Sequence, residues 1–360
     1  MARAIALTAN GRDTATPNPN VGCVLVKGGR VIGEGWHAKA GEPHAEANAL
    51  AAATESPEGA TAYVTLEPCS HFGRTPPCAD ALVKARVARV VAALEDPYPK
   101  VKGQGGARLR EAGIAYETGL MEAQAREVHR GFLTRMTKGR PWMRIKAAAT
   151  LDGRIALANG ESKWITGAAA RRDVHALRAR SCAMLTGIGT VLRDDPQLTV
   201  RDVATPRQPL RVIVDRRAET PRTARALAGG NALIVTAGAH GGGFGPGVEQ
   251  VALPDAEGRV DLAAMMRELA RRGLNEVHVE TGARLNGALL RAGLIDELVV
   301  YLAGAVLGDP ARGMFDIGAP LASLAERVEL EFTAIDQIGD DVRLVARVRR
   351  QNGDRSLKRR

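Results

Sequence analysis

The sequence predicts an α/β protein with two domains, and three observations support this fold class. The chain has 360 residues, about twice the length of an average domain. Short β-branched runs alternate with helix-periodic segments along both halves, which is the pattern of α/β architecture. The composition is that of a globular protein, with 45% hydrophobic and 25% charged residues. Gly139 and Pro141 interrupt the pattern, so we predict one domain over residues 1–139 and a second over 140–348.

The first half is expected to contain a β-hairpin, because the apolar runs VGCVLV and VIGEGW flank the turn-forming residues KGGR. Helical periodicity follows from His44 to Ala53. The later segments alternate strand and helix, which predicts a three-layer α/β domain. They are strands at 61–66, 87–93 and 114–117, and helices at 77–86, around 105–112 and at 121–139.

The second half alternates in the same way but does not repeat the sequence of the first, so it is predicted to be a different α/β domain. A loop rich in Gly and Asn follows its first strand and extends to Ile165. The predicted strands are 142–149, 183–187, 211–214, 232–236, 276–280 and 297–303, and the predicted helices are 169–180, 261–272 and 286–292.

The formal net charge of +10 comes mainly from one end of the chain. Residues 1–139 carry 17 basic and 14 acidic side chains, whereas the last fourteen residues carry seven basic and one acidic. We therefore predict that residues 349–360 form a basic, disordered tail, and we expect no nucleic-acid or membrane partner. The N-terminal apolar stretch is too short for a signal peptide or a membrane span, so a cytoplasmic protein is expected.

The segment TLEPCSHFGRTPPC contains Cys69 and Cys78, which could form a disulfide, half of a zinc site, or two unrelated thiols. A reducing cytosol disfavours the disulfide. The segment EPHAEANAL upstream decides between the other two, because His44 could complete a three-ligand zinc site and leave Glu46 free beside the metal. A free carboxylate at such a site can carry protons between water, the ring nitrogen and the leaving amine. The pattern H-x-E followed by P-C and a second cysteine is typical of zinc nucleobase deaminases, although eight residues here separate the cysteines.

The residues resemble the bifunctional deaminase/reductase family of riboflavin biosynthesis, in which this longer cysteine spacing is usual. The matching segments in the first half are PNPNVGC, GEPHAE and LEPCSHFGRTPPC, then DP at 96–97 and GxG at 103–105. Those in the second half are KAAATLDGRIALANGESKWIT, GIGTVLRDDPQLTVR and VETGARLNGALL.

The resemblance implies a cytidine-deaminase-like domain followed by a dihydrofolate-reductase-like domain. The first would use zinc to deaminate 2,5-diamino-6-(5-phosphoribosylamino)pyrimidin-4(3H)-one. The second would use NADPH to reduce the ribosyl group of 5-amino-6-(5-phosphoribosylamino)uracil to ribityl. Small phosphorylated pyrimidines are the implied substrates, and a homo-oligomer is expected. Glu46 would be catalytic, and His44, Cys69 and Cys78 would bind the metal. Asn18 and Asn20 would contact the pyrimidine or serve as loop formers, and His71 is a further candidate contact.

The resemblance also implies residues of the reductase site. Arg178 and Arg201 make chemical sense as clamps for a phosphate. Lys146 and Asp194 are candidate proton donors, and Arg216 stands where the family often has a small polar residue, so it could meet the 2′-phosphate of NADPH. The cofactor-binding residues would be Ala148, Trp164, Thr190, Asp194, Arg216, Gly282, Ala283, Arg284, Leu285, Asn286, Gly287 and Ala288. The substrate-binding residues would be Ser162, Arg178, Leu198, Arg201 and Glu280.

Two alternatives stay open at the level of sequence. A nucleic-acid-editing zinc deaminase with an appended binding domain would explain the motif but not the segments of the second half. A purely structural zinc would need a fourth protein ligand, which Cys23 or His71 would have to provide.

Overall fold

A computed structural model describes residues 1–72, 76–99, 101–239 and 243–349. The chain divides into two compact units. Unit 1 contains Met1–Pro141 and Arg267–Asn275, and unit 2 contains Trp142–Met266 and the chain from Glu276 onwards. Residues 350–360 of the predicted tail lie outside the described residues, as do Gly73, Arg74 and Thr75 of the loop between the two cysteines.

The first part of the chain forms a mixed sheet with helices packed on it. The strands are β1 (Gly22–Lys27), β2 (Arg30–Trp36), β3 (Thr61–Val64), β4 (Arg89–Ala92) and β5 (Ala115–Thr118). The helices are α1 (Ala2–Leu7), α2 (Ala45–Ala51), α3 (Cys78–Lys84), α4 (Gln104–Glu111) and α5 (Glu122–Lys138). The strand order is β2-β1-β3-β4-β5, with β1 antiparallel to both neighbours and β3, β4 and β5 parallel. The predicted hairpin and the alternation that follows it are confirmed.

Two glycines of β2 bring α2 directly against the sheet. A Cβ atom on Gly35 would lie 2.3 Å from the Ala49 nitrogen and 2.4 Å from the Ala45 carbonyl oxygen. A Cβ on Gly33 would lie 2.4 Å from the Ala49 carbonyl oxygen. Any larger residue at either position would push α2 outwards, so these glycines fix the place of the segment that carries His44 and Glu46.

The second part of the chain contains a larger sheet. Its strands are β6 (Trp142–Thr150), β7 (Arg154–Ala156), β8 (Ala183–Gly187), β9 (Leu210–Val214), β10 (Ala232–Thr236), β11 (Val248–Ala252), β12 (Glu276–Val279), β13 (Glu297–Ala303), β14 (Arg312–Gly313), β15 (Leu330–Ile338) and β16 (Asp341–Val348). Its helices are α6 (Ala168–Arg180), α7 (Ile188–Asp194), α8 (Leu262–Arg271) and α9 (Ala283–Arg291).

The nine-stranded sheet has the order β11-β10-β9-β8-β12-β6-β13-β16-β15. Every pairing from β11 to β13 is parallel, whereas β16 pairs antiparallel with β13 and β15. The strands β8 (AMLTG) and β10 (ALIVT), neither of which is an edge strand, are buried at every position, as expected for mostly apolar strands of a parallel sheet covered on both faces. Ligands of such sheets bind beyond the carboxyl ends of the strands, so the loops after β8, β9 and β12 are where a site is expected.

The chain segments that the structure describes include no helix long and apolar enough to cross a membrane.

Candidate active sites

Three predicted metal ligands meet in unit 1. His44 immediately precedes α2, Cys69 lies in the loop after β3, and Cys78 is the first residue of α3. The Nδ1 atom of His44 lies 3.3 Å from Cys78 Sγ and 3.6 Å from Cys69 Sγ. The ligand atoms of all three residues lie within 4.8 Å of one another. The fold therefore brings one imidazole and two thiols to a single point.

The arrangement of these three side chains fits zinc. Zinc bond lengths in a tetrahedral site place an imidazole nitrogen and a thiolate sulfur roughly 3.5 Å apart, close to the two distances observed here. No fourth His, Cys, Asp or Glu joins the group among the residues that the structure describes, so neither Cys23 nor His71 supplies the ligand that a structural zinc would need. Three protein ligands with an open fourth position are typical of catalytic zinc.

Hydrogen bonding favours the thiolate at Cys69. Its Sγ accepts the backbone N–H of Cys78 at 3.3 Å. The pKa of the Cys69 thiol is lowered, first by the hydrogen bond from the Cys78 thiol and then by His44. Because Cys78 donates that bond and is buried, its own pKa is raised. The thiolate is the form that binds metal, and Cys69 is the first of the pair to adopt it.

Glu46 lies beside the cluster, on the first turn of α2, and only 3% of it is exposed. Burial raises the pKa of Glu46 to about 7, the range in which a carboxyl group can both take and give a proton near neutral pH. The negative charge of the nearby Cys69 thiolate disfavours ionisation of its carboxyl group and so helps to raise its pKa. The geometry therefore allows Glu46 to work as an acid and as a base next to the metal ligands.

His37 belongs to none of the sequence motifs, yet its ring is buried, with a centroid 5.0 Å from that of His44. Its Nδ1 lies 3.1 Å from the Pro43 carbonyl oxygen, and its Nε2 lies 3.0 Å from the Asn18 side-chain nitrogen. The neutral ring thus donates to Pro43 and accepts from Asn18, which fixes the chain just before His44. The Asn20 amide donates to the Thr8 carbonyl at 3.2 Å. Pyrimidine contacts by Asn18 and Asn20 stay predictions.

Glu67, in the same EPC motif as Cys69, anchors the loop that leads to α4. Its carboxylate accepts the backbone N–H groups of Asp96, Gly103 and Gly106 at 3.0–3.1 Å. A Cβ on Gly105 would lie 2.0 Å from the Pro68 carbonyl oxygen, so this glycine is required by the close approach of the loop. Gly103 caps α4 and Gly105 lies in its first turn, so the GxG segment begins this helix and packs it against Pro68, the residue before Cys69.

A cavity of about 1670 Å³ opens in unit 2 at the carboxyl ends of β8, β9 and β12. It contains most of the predicted cofactor contacts and two of the predicted substrate contacts. The lining includes Ala148, Ser162, Trp164, Thr190, Asp194, Arg216, Glu280, Gly282, Ala283, Arg284, Leu285, Asn286 and Ala288. Gly287 is not part of the lining; a Cβ there would lie 1.8 Å from the Asp316 carbonyl oxygen, so its place in α9 is one of close packing.

Three predicted substrate contacts are not part of the cavity wall. Arg178 on α6 makes two hydrogen bonds to Glu280, at 2.7 and 2.8 Å, and so is linked to the wall. Leu198 is 2% exposed and packs in the core, with a φ of 54°. Arg201 lies in the same loop as Leu198, between α7 and β9. Leu198 therefore offers almost no surface to a ligand, and the roles of all three residues stay predictions.

The pKa of Glu280, which lines this cavity, is shifted by the side chains around it. Burial would raise the pKa of Glu280, but Arg178 and His278 together hold it well below its usual range. Burial lowers the pKa of Lys146, which lines the same cavity. An amine with a lowered pKa next to a permanent carboxylate can hold and release a proton nearer to neutral pH than an exposed lysine can.

Comparison with known proteins agrees with the site found in each half of the chain. Residues 141–344 match the family model of the RibD C-terminal domain, and residues 1–94 match the cytidine and deoxycytidylate deaminase zinc-binding region. The riboflavin biosynthesis protein RibD of Escherichia coli is 48% identical over 95% of this chain and 96% of its own length, and that of Haemophilus influenzae is 46% identical over 96% and 95%.

Solved structures give the same result. A RibD structure from Acinetobacter baumannii is 44% identical, with a TM-score of 0.89 over 97% of this chain and 98% of that one. A diaminohydroxyphosphoribosylaminopyrimidine deaminase/5-amino-6-(5-phosphoribosylamino)uracil reductase from Thermotoga maritima is 34% identical, with a TM-score of 0.87 over 97% of each chain. The chain therefore belongs to the RibD family, and it is a bifunctional enzyme of riboflavin biosynthesis with a zinc-binding deaminase domain and a reductase domain.

Proposed function

We propose that residues 1–139 hydrolytically deaminate 2,5-diamino-6-(5-phosphoribosylamino)pyrimidin-4(3H)-one, and that residues 140–348 then reduce 5-amino-6-(5-phosphoribosylamino)uracil with NADPH. The observation that carries the first step is the cluster of His44, Cys69 and Cys78 with the buried carboxyl group of Glu46 beside it. The substrates named for the Thermotoga maritima relative support the choice of pyrimidine. Product masses after incubation with and without NADPH test the proposal: the first step replaces an amino group by oxygen, and the second adds two hydrogens.

In the deaminase, His44, Cys69 and Cys78 would hold zinc, which when bound acts as a Lewis acid that activates water for attack on the amino-bearing ring carbon. Glu46 would accept a proton from that water at its carboxylate. It would then pass protons to the ring nitrogen and to the leaving amine, so that ammonia departs as a neutral molecule. The near-neutral pKa of this carboxyl group, raised to about 7 by burial, suits a residue that must do both.

In the reductase, bound NADPH would supply the hydride that turns the imine form of the opened ribose into an amine. The chain itself would supply the binding surface and the proton. Gly282 caps the N-terminus of α9, and backbone N–H groups at such a terminus suit a pyrophosphate. Lys146 Nζ is the proposed source of the proton for the imine nitrogen, with Asp194 on the cavity wall as the second candidate.

The preference for NADPH is proposed to depend on Arg216. This residue follows β9, is exposed and lines the cavity, and among the described residues it makes no ion pair. We expect Arg216→Ala to raise the KM for NADPH by about 10-fold to 100-fold, the effect of losing a charged hydrogen bond, and to change the KM for NADH little. Initial rates with both nucleotides measure this.

Arg217→Ala is the matched control, because Arg217 pairs with Glu219 at 2.9 Å and does not line the cavity. It should leave both KM values unchanged. An equal rise in the KM for NADPH and for NADH in the Arg216→Ala enzyme would show that Arg216 does not determine the preference for NADPH.

We further propose a cytoplasmic homo-oligomer with no nucleic-acid partner. The surface proposed to contact a second copy of the chain is the edge strand β15, because its Phe332 and Ile335 side chains are 60% and 64% exposed. Sedimentation analysis tests the assembly, and a monomer at all concentrations would contradict it.

A further inference from the structure

The loop that carries Arg201 is held by side chains of α6 and by one of its own side chains. No helix or strand covers residues 195–209. Arg178 Nη1 donates to the Thr199 carbonyl oxygen at 3.0 Å. The Gln208 side chain accepts the Val200 N–H at 2.8 Å and donates to the Val200 carbonyl at 3.0 Å. Because the loop has no ladder of backbone hydrogen bonds here, its shape depends on these individual attachments.

His175 makes the attachment to the backbone of Arg201 itself. It lies on α6, one turn before Arg178 and therefore on the same face, and only 5% of it is exposed. Its Nδ1 accepts the backbone N–H of Arg201 at 3.1 Å. Because Nδ1 is an acceptor, the proton of the neutral ring is on Nε2, which lies 3.4 Å from Asp202 Oδ2. One imidazole thus holds two consecutive residues of the loop.

The electrostatics keep the ring in the form that this contact needs. Burial lowers the pKa of His175, and the positive charge of Arg178 lowers it further. The ring is therefore neutral at neutral pH, and Nδ1 remains an acceptor for the Arg201 N–H. A protonated imidazole would carry hydrogen on both nitrogens and would lose this bond.

The guanidinium groups of Arg178 and Arg201 both bind Thr199, Arg178 at the carbonyl oxygen and Arg201 at the hydroxyl. After burial, the charge of Arg178 is the main cause that lowers the pKa of Arg201. Arg201 donates from Nη1 to the Thr199 hydroxyl at 3.1 Å, so its side chain extends along its own loop. Two like charges held near each other repel, and an anion between them relieves the repulsion.

We propose that His175 is a positioning residue, which fixes the backbone of Arg201 so that the two guanidinium groups meet the phosphate of the reductase substrate. This inference rests on the proposed function, in which Arg178 and Arg201 bind that phosphate. His175 itself touches neither substrate nor cofactor. Its loss should therefore weaken binding of phosphorylated ligands and leave the rate at saturation unchanged.

Two replacements of His175 separate positioning from packing. In His175→Asn, the amide oxygen can take the place of Nδ1 and accept the Arg201 N–H. In His175→Gln, the polar atoms lie one bond further out, near Nε2, and the acceptor for Arg201 is lost. We expect His175→Gln to raise the KM for 5-amino-6-(5-phosphoribosylamino)uracil by about threefold to tenfold, the effect of one hydrogen bond, with kcat unchanged.

The test measures KM and kcat of the full-length enzyme on this substrate and on its dephosphorylated form, and the Ki of inorganic phosphate as an inhibitor. His175→Gln should raise the KM for the phosphorylated substrate and the Ki of phosphate by similar factors. His175→Asn should restore both values towards those of the unmodified enzyme, and the KM for the dephosphorylated substrate should not change.

Arg201→Ala is measured in parallel. If Arg201→Ala raises the KM and His175→Gln does not, the positioning role is wrong and the phosphate clamp stands. If Arg201→Ala has no effect, the clamp itself is wrong. Equal losses on both substrates would assign His175 to packing alone.

Discussion

Replacing Glu46 with Gln is expected to slow ammonia release from the diaminopyrimidine by about 10²-fold to 10⁴-fold, the range found for a general acid–base group. Gln has the size of Glu but cannot accept a proton from water. Because Glu46 is buried, where a neutral group is favoured over a charged one, the substitution should not destabilise α2. Zinc content, ammonia release and the melting temperature of the variant are the quantities to measure.

Glu42→Gln is the matched control for this experiment. Glu42 is exposed and lies two residues before His44, as Glu46 lies two residues after it. It should keep full deaminase activity, and both variants should reduce the uracil substrate at the normal rate. A zinc-loaded Glu46→Gln enzyme that releases ammonia as fast as the unmodified enzyme would refute the role of this carboxyl group.

Replacing Cys78 with Ala should remove both zinc and deaminase activity. The variant loses one of three ligands, and His44 and Cys69 alone leave only two of the three protein ligands that a catalytic zinc site needs. We expect less than stoichiometric zinc after dialysis and no measurable ammonia release, while NADPH oxidation with the uracil substrate continues. Metal analysis and the two assays measure this on one preparation.

The control for the zinc site is Cys23→Ala. Cys23 is a buried thiol of β1 that does not belong to the ligand cluster. If zinc were structural with Cys23 as its fourth ligand, this variant would lose metal as Cys78→Ala does. We expect instead that it keeps zinc and ammonia release, and zinc loss in Cys23→Ala would contradict the three-ligand site.

The parts of the fold that sequence could predict are those with a strong local signal. The hairpin of β1 and β2 has two apolar runs and a glycine turn, and α5 has a long periodic stretch ended by Gly139, which has a φ of 63°. The strands β15 and β16 were not predicted. Most side chains of β15 are exposed, so its apolar residues do not alternate with the regularity that identifies a half-buried strand.

The residues of the functional sites also divide into those that have a local sequence signal and those that do not. His44, Glu46, Cys69 and Cys78 form a motif, so their residue types and spacing could be read together before the structure placed them side by side. The contacts of the supporting residues have no such pattern. Glu67 belongs to the EPC motif, but it accepts N–H groups from residues 29 to 39 positions later, and His175 accepts the N–H of Arg201, 26 positions later. Neither contact follows a periodicity that the sequence could show.

One chain is proposed to carry out two consecutive steps at two sites, only the first of which needs zinc. The most direct measurement supplies each substrate in turn to the enzyme, with and without a zinc chelator, and follows ammonia release and NADPH oxidation together with the product masses. The chelated enzyme should release no ammonia from the diaminopyrimidine and should still reduce 5-amino-6-(5-phosphoribosylamino)uracil at the rate of the untreated enzyme. Ammonia release that survives complete removal of zinc, or a reductase step that stops with it, would contradict the account.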